Sequence, residues 1–342
     1  MNSIIDEIDL LEDKLFDISP SLLDILLKDH TTSTKDVQHN IFWASSDYEY
    51  LGKGYEYSSP ILPNLITKNK GLVIRPRVLK NKEQQDFRAK DKAEVFTPSW
   101  MCNSQNNLID EIWFGRKNVF NEEQTDADGK NFWIMNPDKI TFPRGKTWKN
   151  YVHANRMEIT CGEAPYMVSR YDTTTGEVIP IKNRIGLLDR KLRVIGENVE
   201  TSGEWLEEAQ EAYKSCYAYE WQGDSLLIAR EAMLLSFIEY YREKFGKDPL
   251  EKSINYIAYI ISWNFWQMDG LKGVVPNTCR KRIQVENLLF GGTQKIEIPC
   301  EGCQTQDIRR HNGIYCLIKD WRAKDPITGK QGKIMKYIEL IK

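Results

Sequence analysis

The sequence lacks a surplus of charge of either sign, a membrane-length apolar run and an even set of cysteines. Its 47 basic and 49 acidic residues leave a net charge of −2, which excludes a general basic coat for nucleic acid, although not a local basic groove. The most apolar run, Tyr256 to Phe265, is short and interrupted, whereas a bilayer span needs about 20 apolar residues. Met1-Asn2-Ser3 is followed by acids and has neither the basic nor the apolar region of a signal peptide. The expectation is a cytoplasmic protein with no membrane association. Seven cysteines in 342 residues do not make the dense, even framework of a small secreted domain. With 41 % hydrophobic and 28 % charged residues, wholesale disorder is excluded. The length predicts one large or two modest domains.

What is present sorts into four stretches. Ile4, Ile5, Ile8, Leu11 and Leu15, then the run from Ser21 to Leu27, carry a helical pattern and predict a helical segment over 1–35. Residues 36–150 are rich in aromatic residues and turns (Gly52, Gly54, Pro60, Pro63, Pro76, Asp126-Ala127-Asp128-Gly129). They predict an irregular α+β region with one long helix from Ser99 to Trp113. Over 151–275, strand candidates at 156–160, 216–220 and 259–265 alternate with helical patterns at 184–199, 204–214 and 224–245. The last of these is stopped by Gly246. Such alternation predicts a parallel α/β sheet. Residues 276–342 form a cysteine-containing tail.

Ligands of an open α/β sheet bind at the carboxyl ends of its strands. Three segments put polar residues there. In Glu158-Ile159-Thr160-Cys161-Gly162-Glu163-Ala164-Pro165-Tyr166, a strand runs into small residues that let a ligand approach the backbone. Glu220 ends the next strand, where a carboxylate can accept from a ribose diol. Asp269 ends the third, placed to accept from an exocyclic amine. Acid–diol and acid–amine pairs recur wherever an adenosine is held.

The order of these segments resembles that of the DNA adenine-N6 methyltransferases whose methionine-side motif precedes the glycine-rich one, including small relatives described as restriction endonuclease subunit M. Lys92-Ala93-Glu94-Val95-Phe96-Thr97-Pro98 is similar to their Phe-x-Thr-Pro box. Glu158 to Tyr166 resembles the Asp-Pro-x-Cys-Gly-x-Gly-x-Phe loop, with Glu158 at the acid position and Gly162 at the first glycine. Glu220 and Asp269 are similar to the ribose and adenine acids. The resemblance covers roughly residues 85–275. It implies a Rossmann-like sheet over 151–275 and S-adenosylmethionine as cofactor. Phe96, Thr97 and Pro98 would lie by the methionine, and Glu158, Thr160 and Gly162 would underlie the cofactor. Glu220 would bind the ribose and Asp269 the adenine. It further implies DNA as partner and a restriction or defence subunit beside it.

Two departures bear on chemistry. The catalytic Asn/Asp-Pro-Pro-Tyr/Phe box does not follow Asp269; the nearest strings are Val275-Pro276-Asn277 and, upstream, Asn136-Pro137-Asp138. Without it no group is named for the target amine of a flipped base. Ala164 replaces the second glycine of the loop, and its methyl is expected to crowd the methionine. Two functions therefore stand side by side. One is an adenine-N6 methyltransferase-like protein. The other is a catalytically lapsed module of that fold, which binds nucleic acid or serves as a specificity or regulatory subunit. A metal-dependent nuclease finds no run of spaced acids with a lysine.

In the tail, Cys279, Cys300, Cys303 and Cys316 form C-x20-C-x2-C-x12-C, with His311 nearby. Pro299-Cys300-Glu301-Gly302-Cys303 looks like a zinc knuckle, in which two thiolates share a tetrahedral ion at about 2.3 Å. Structural zinc is one expectation, and small buried thiols are the other. The basic stretch from Arg75 to Lys82, continued by Arg88, Lys90 and Lys92, either neutralises phosphates or is a solvated charged segment. The aromatics Phe42, Trp43, Tyr48, Tyr50, Tyr55 and Tyr57 are expected to pack rather than stack on bases. Cys161, with His153 upstream, is expected to be a packing residue and not a nucleophile.

Overall fold

A computed structural model describes residues 12–67, 73–80, 82–92, 96–287 and 293–341. In chain order, α1 (Glu12–Ile18), α2 (Leu22–Leu27), α3 (Pro63–Ile66), α4 (Lys82–Lys92) and α5 (Ser99–Phe114) precede a hairpin of β1 (Asn121–Thr125) and β2 (Asn131–Met135). Then come α6 (Trp148–Val152), β3 (Arg156–Glu158), α7 (Leu187–Asn198), α8 (Ser202–Lys214), β4 (Cys216–Glu220), α9 (Gly223–Phe245), α10 (Glu251–Asn264) and β5 (Phe265–Gln267). The tail carries β6 (Arg282–Asn287), β7 (Thr293–Ile298), α11 (Glu301–Thr305), β8 (Leu317–Lys324) and β9 (Gln331–Lys336). Ile4, Ile5, Ile8 and Leu11 lie outside the described residues, as do Ala93, Glu94 and Val95.

The chain is a mixed α/β fold with small sheets and, among the described residues, no closed barrel. Strands β3, β4 and β5 form a parallel sheet in that order, with Glu158 opposite Ala218 and Glu220 opposite Gln267. The helix pairs α7–α8 and α9–α10 make the crossovers that parallel pairing requires. Hairpins β1–β2, β6–β7 and β8–β9 are antiparallel and separate from that sheet.

Helix α9 organises the core. Leu226, Leu227, Met233, Leu234, Phe237, Ile238 and Tyr241 are all buried, at roughly 1.5–3 kcal/mol for each large apolar side chain. It starts at Gly223, where a β-carbon would overlap the Phe42 carbonyl. It stops at Gly246, which takes the left-handed φ of 66° and returns its N–H to the Arg242 carbonyl at 2.8 Å.

Two element boundaries differ from those the sequence pattern predicts. The run 259–265 is not a strand: α10 continues to Asn264, and only Phe265–Gln267 pairs with β4. Ile254, Ile257, Ile260 and Ile261 recur at helical spacing on the buried side, a pattern that a short apolar window does not separate from a buried strand. Strand β3 stops at Glu158 because Thr160 is left-handed, at φ 46°. No helix among the described residues is long and apolar enough to cross a membrane.

Candidate functional site at the sheet edge and in the tail

The loop leaving β3 is folded back by the last residue of the strand. Glu158 accepts from the backbone N–H groups of Tyr166 at 3.4 Å and Met167 at 3.2 Å. Burial pushes its carboxyl up to about 8; those two N–H bonds oppose the rise and the Glu220 charge adds to it. Within the loop, Thr160, Gly162 and Ala164 take φ of 46°, 54° and 59°. Left-handed backbone costs a non-glycine residue roughly 1–2 kcal/mol, and such strain gathers at functional sites. Ala164 is fully buried in the main core.

Glu220, at the end of β4, is the hub of this edge. Its Oε2 accepts from Gly162 N–H at 2.8 Å, while Oε1 accepts from Trp221 N–H at 2.8 Å and Gln222 N–H at 3.2 Å. Burial raises its pKa against these three donors. A carboxylate has about four lone-pair sites, so roughly one remains for a further donor. A β-carbon on Gly162 would lie 3.8 Å from the Phe96 ring, which places that ring over the loop. Arg77 covers Phe96, with its guanidinium 4.7 Å from the ring centroid. The Arg77 N–H donates to Glu163 Oε1 at 2.6 Å, and the Tyr171 hydroxyl donates to Glu163 Oε2 at 2.6 Å. The Thr97 carbonyl accepts from Thr173 Oγ1 at 3.2 Å, and Pro98 caps α5. Phe96, Gly162 and Glu220 thus come together, with Thr97, Pro98, Glu158 and Thr160 alongside them in the chain.

Asp269, just past β5, is mostly used locally. Its Oδ1 accepts from Leu271 N–H at 3.1 Å, and its Oδ2 pairs with Lys272 at 2.9 Å. Around it gather Tyr57, Trp221 and Asn277. The Trp221 indole N–H donates to the Tyr57 hydroxyl at 3.0 Å, and the Asn277 side chain also bonds that hydroxyl. Burial raises the Tyr57 phenol, the two hydrogen bonds oppose the rise, and the Asp269 charge adds to it. Asn277 is left-handed, at φ 58°. The buried Gln267 amide fastens the 42–43 segment and Trp221 here: it accepts from Phe42 N–H at 3.0 Å and donates to the carbonyls of Phe42 and Trp221, both at 2.8 Å. Tyr57 was legible only as one aromatic among six. Trp43, Tyr48 and Tyr55 of that set do pack in the core.

The basic stretch is divided: Arg75, Lys82 and Lys90 are exposed, whereas Arg88 and Lys80 turn inward. Arg88 is buried and pairs with Asp224 at 2.7 Å; Lys80 joins the same carboxylate at 3.3 Å, and the Tyr48 hydroxyl donates to it at 2.7 Å. Burial alone would raise the Asp224 carboxyl, yet Arg88 and Lys80 hold it far below the usual carboxylate range. Nor is Cys161 a nucleophile with His153. The Cys161 thiol is buried and raised by that burial, while His153 Nε2 contacts Glu208 at 2.9 Å.

In the tail, the side chains of Cys279, Cys300, Cys303 and His311 bring their ligating atoms within 4.8 Å of one another. Cys316 stands apart from the other three cysteines. It is fully buried with Tyr219, Trp266, Met268, Val275 and Ile318, and its thiol donates to the Gln267 carbonyl at 3.4 Å. The fourth side chain at the cluster is His311, eight residues after Cys303. Burial alone would raise the Cys300 thiol, but N–H groups of Asn312, Cys303 and Gly302, together with His311, bring it down to about 6.

No family model matches this chain, and neither a curated protein nor a solved structure matches it.

Proposed function

We propose that the carboxyl edge of β3, β4 and β5 holds S-adenosylmethionine in a Rossmann-like sheet, and that the chain is a DNA adenine-N6 methyltransferase-like protein of a restriction–modification or phage-defence system. One observation carries the proposal: the Glu220 carboxylate takes the Gly162 N–H at 2.8 Å, and the Phe96 ring lies beside Gly162. Three segments far apart in sequence, each similar to a cofactor motif, therefore meet at the strand ends where α/β sheets bind ligands.

The residues present fit such a group. Glu220 retains acceptor capacity for a ribose hydroxyl, Gly162 leaves backbone open to close approach, and Phe96 offers an apolar face. The bound cofactor would supply the methyl group. This chain would supply orientation, which is worth several kcal/mol of a reaction barrier. Tyr57, Trp221 and Asn277 border Asp269, and we assign to them the reception of the acceptor base, Asn277 being the amide nearest the role of the missing Asn-Pro-Pro-Tyr box.

The lapsed alternative has its own support. Three backbone N–H groups already occupy Glu220, Lys272 neutralises Asp269, and no Asn-Pro-Pro-Tyr follows it. Isothermal titration of the full chain with S-adenosylmethionine decides first. Saturable binding is expected, roughly tenfold or more weaker in Phe96→Ala, which leaves the Glu220 hydrogen bonds intact. Absence of saturation at millimolar cofactor overturns the proposal. Binding without transfer of labelled methyl to DNA selects the lapsed module.

A further inference from the structure

The imidazole of His311 poses a problem that hydrogen bonding does not solve. Its Nδ1 lies 3.5 Å from Cys279 Sγ, 3.7 Å from Cys300 Sγ and 3.6 Å from Cys303 Sγ. One ring nitrogen carries either one proton or one lone pair, so it satisfies one thiol and leaves two sulfurs crowded against it. The three separations do match the edge of a tetrahedron around a shared ion. With metal–sulfur and metal–nitrogen bonds of about 2.3 and 2.0 Å, a tetrahedral site has sulfur–nitrogen edges of about 3.5 Å.

The surroundings are shaped for that convergence. A β-carbon on Gly302 would sit 2.7 Å from both Nδ1 and the backbone nitrogen of His311, so only glycine lets the ring close on the knuckle. Gly302 N–H returns to the Arg310 carbonyl at 3.0 Å, which pins the 300–303 turn beside the histidine. Asn312 N–H donates to Cys300 Sγ at 3.1 Å, and His311 N–H donates to the Tyr315 hydroxyl at 2.9 Å. Backbone N–H groups aimed at a sulfur stabilise thiolate and orient it, as outer-shell partners of a metal do.

We infer that Cys279, Cys300, Cys303 and His311 Nδ1 form a closed tetrahedral zinc site, with His311 and not Cys316 as the fourth ligand. Soft thiolates with one imidazole select zinc, and four protein ligands leave no open position, so the site is structural. Binding releases the protons that the three thiols still carry, and the neutral imidazole keeps its proton on Nε2. The ion ties the loop that follows Asp269 to the tail. Cys279 ends that loop, Val275 N–H bonds the Ile314 carbonyl at 2.8 Å, and Cys316 N–H bonds the Gly273 carbonyl at 3.0 Å. The site stands independently of any cofactor at the sheet edge.

Metal analysis of the purified full chain, followed by cobalt(II) titration of the chelator-treated protein, tests it. About one zinc per chain and the intense visible bands of tetrahedral cobalt–thiolate are expected. Both should persist in Cys316→Ser, vanish in His311→Ala, and return in His311→Cys, which restores a fourth ligand. A folded chain, judged by circular dichroism, that takes up neither metal overturns the site. Retention in His311→Ala with loss in Cys316→Ser overturns the ligand assignment. Because wild-type cobalt spectra decide the first point, a variant that fails to fold does not obscure it.

Discussion

The sheet edge and the tail cluster hold polar groups together by different physics. At the sheet edge, Glu158 and Glu220 are fixed by backbone N–H groups on strands and loops that the main core already immobilises. In the tail, β6–β7 shows exposed Ile283 and Val285, and the nearby apolar cluster is small. There the convergence of three cysteines and a histidine has little core beneath it. Preorganisation comes from burial in the first case and, under the zinc assignment proposed above, would come from an ion in the second, so the two should respond separately to perturbation.

The most damaging test of that separation lies under the sheet edge. Asp224→Ala removes the carboxylate that Arg88 and Lys80 share, leaving the buried guanidinium with Asp47 at 3.1 Å and the neutral Gln222 and Ser225. Breaking a buried ion pair from one side costs about 3–5 kcal/mol. The urea midpoint should fall accordingly, while metal content stays unchanged; a loss of zinc along with stability would mean that the regions are coupled. The wild-type pair also has a pH signature. The folded-state pKa of Asp224 is depressed below the ordinary 3.8, so its stabilisation is full at neutral pH and is lost as pH falls below that value.

Glu158 gives an effect of opposite sign. Its folded pKa is raised from 4.5 to about 8, so the folded state keeps a proton that the unfolded chain releases. Stability should therefore decline as pH rises from 4.5 to about 8. Glu158→Gln keeps a carbonyl acceptor for Met167 N–H and cannot ionise, so its unfolding curves should flatten across that window and exceed wild type at its upper end. An unchanged slope would place the titration elsewhere.

How much of this was legible follows the same division. Strand β4 matched residue for residue, and α9 with its Gly246 stop was readable, because its apolar run is of helical length and glycine marks the stop. The end of α10 was not, since the short apolar window around Ile260, Ile261 and Trp263 reads equally as a buried strand. At the site, spacing pointed to Gly162, Glu220 and the Cys300–Cys303 knuckle. It did not reveal Gln267 as the clamp on Phe42 and Trp221, because that contact spans 225 residues and has no local signature. His311 was noted beside the cysteines but not assigned as a ligand for a related reason: cysteine spacing draws attention to Cys316, and only the fold carries that residue into the core. Arg88 read as surface charge because sequence gives charge without the buried acid 136 residues away.

The smallest effects come from the strained loop, and they distinguish a built site from an incidental turn. Thr160 is exposed and β-branched at φ 46°, a conformation in which glycine carries no steric penalty. Thr160→Gly should therefore stabilise the folded chain by about 1 kcal/mol, less the entropy that glycine adds to the unfolded state. Gly162→Ala should do the reverse by a similar amount. Its β-carbon has room, 3.8 Å from Phe96, so only the φ of 54° opposes it. Both shifts are readable as small changes in urea midpoint. If the strain is retained to shape the edge, the more stable Thr160→Gly should bind S-adenosylmethionine no better, or more weakly, than wild type. A variant both more stable and tighter-binding would mean that the left-handed residues serve only to turn the chain from β3 into the core.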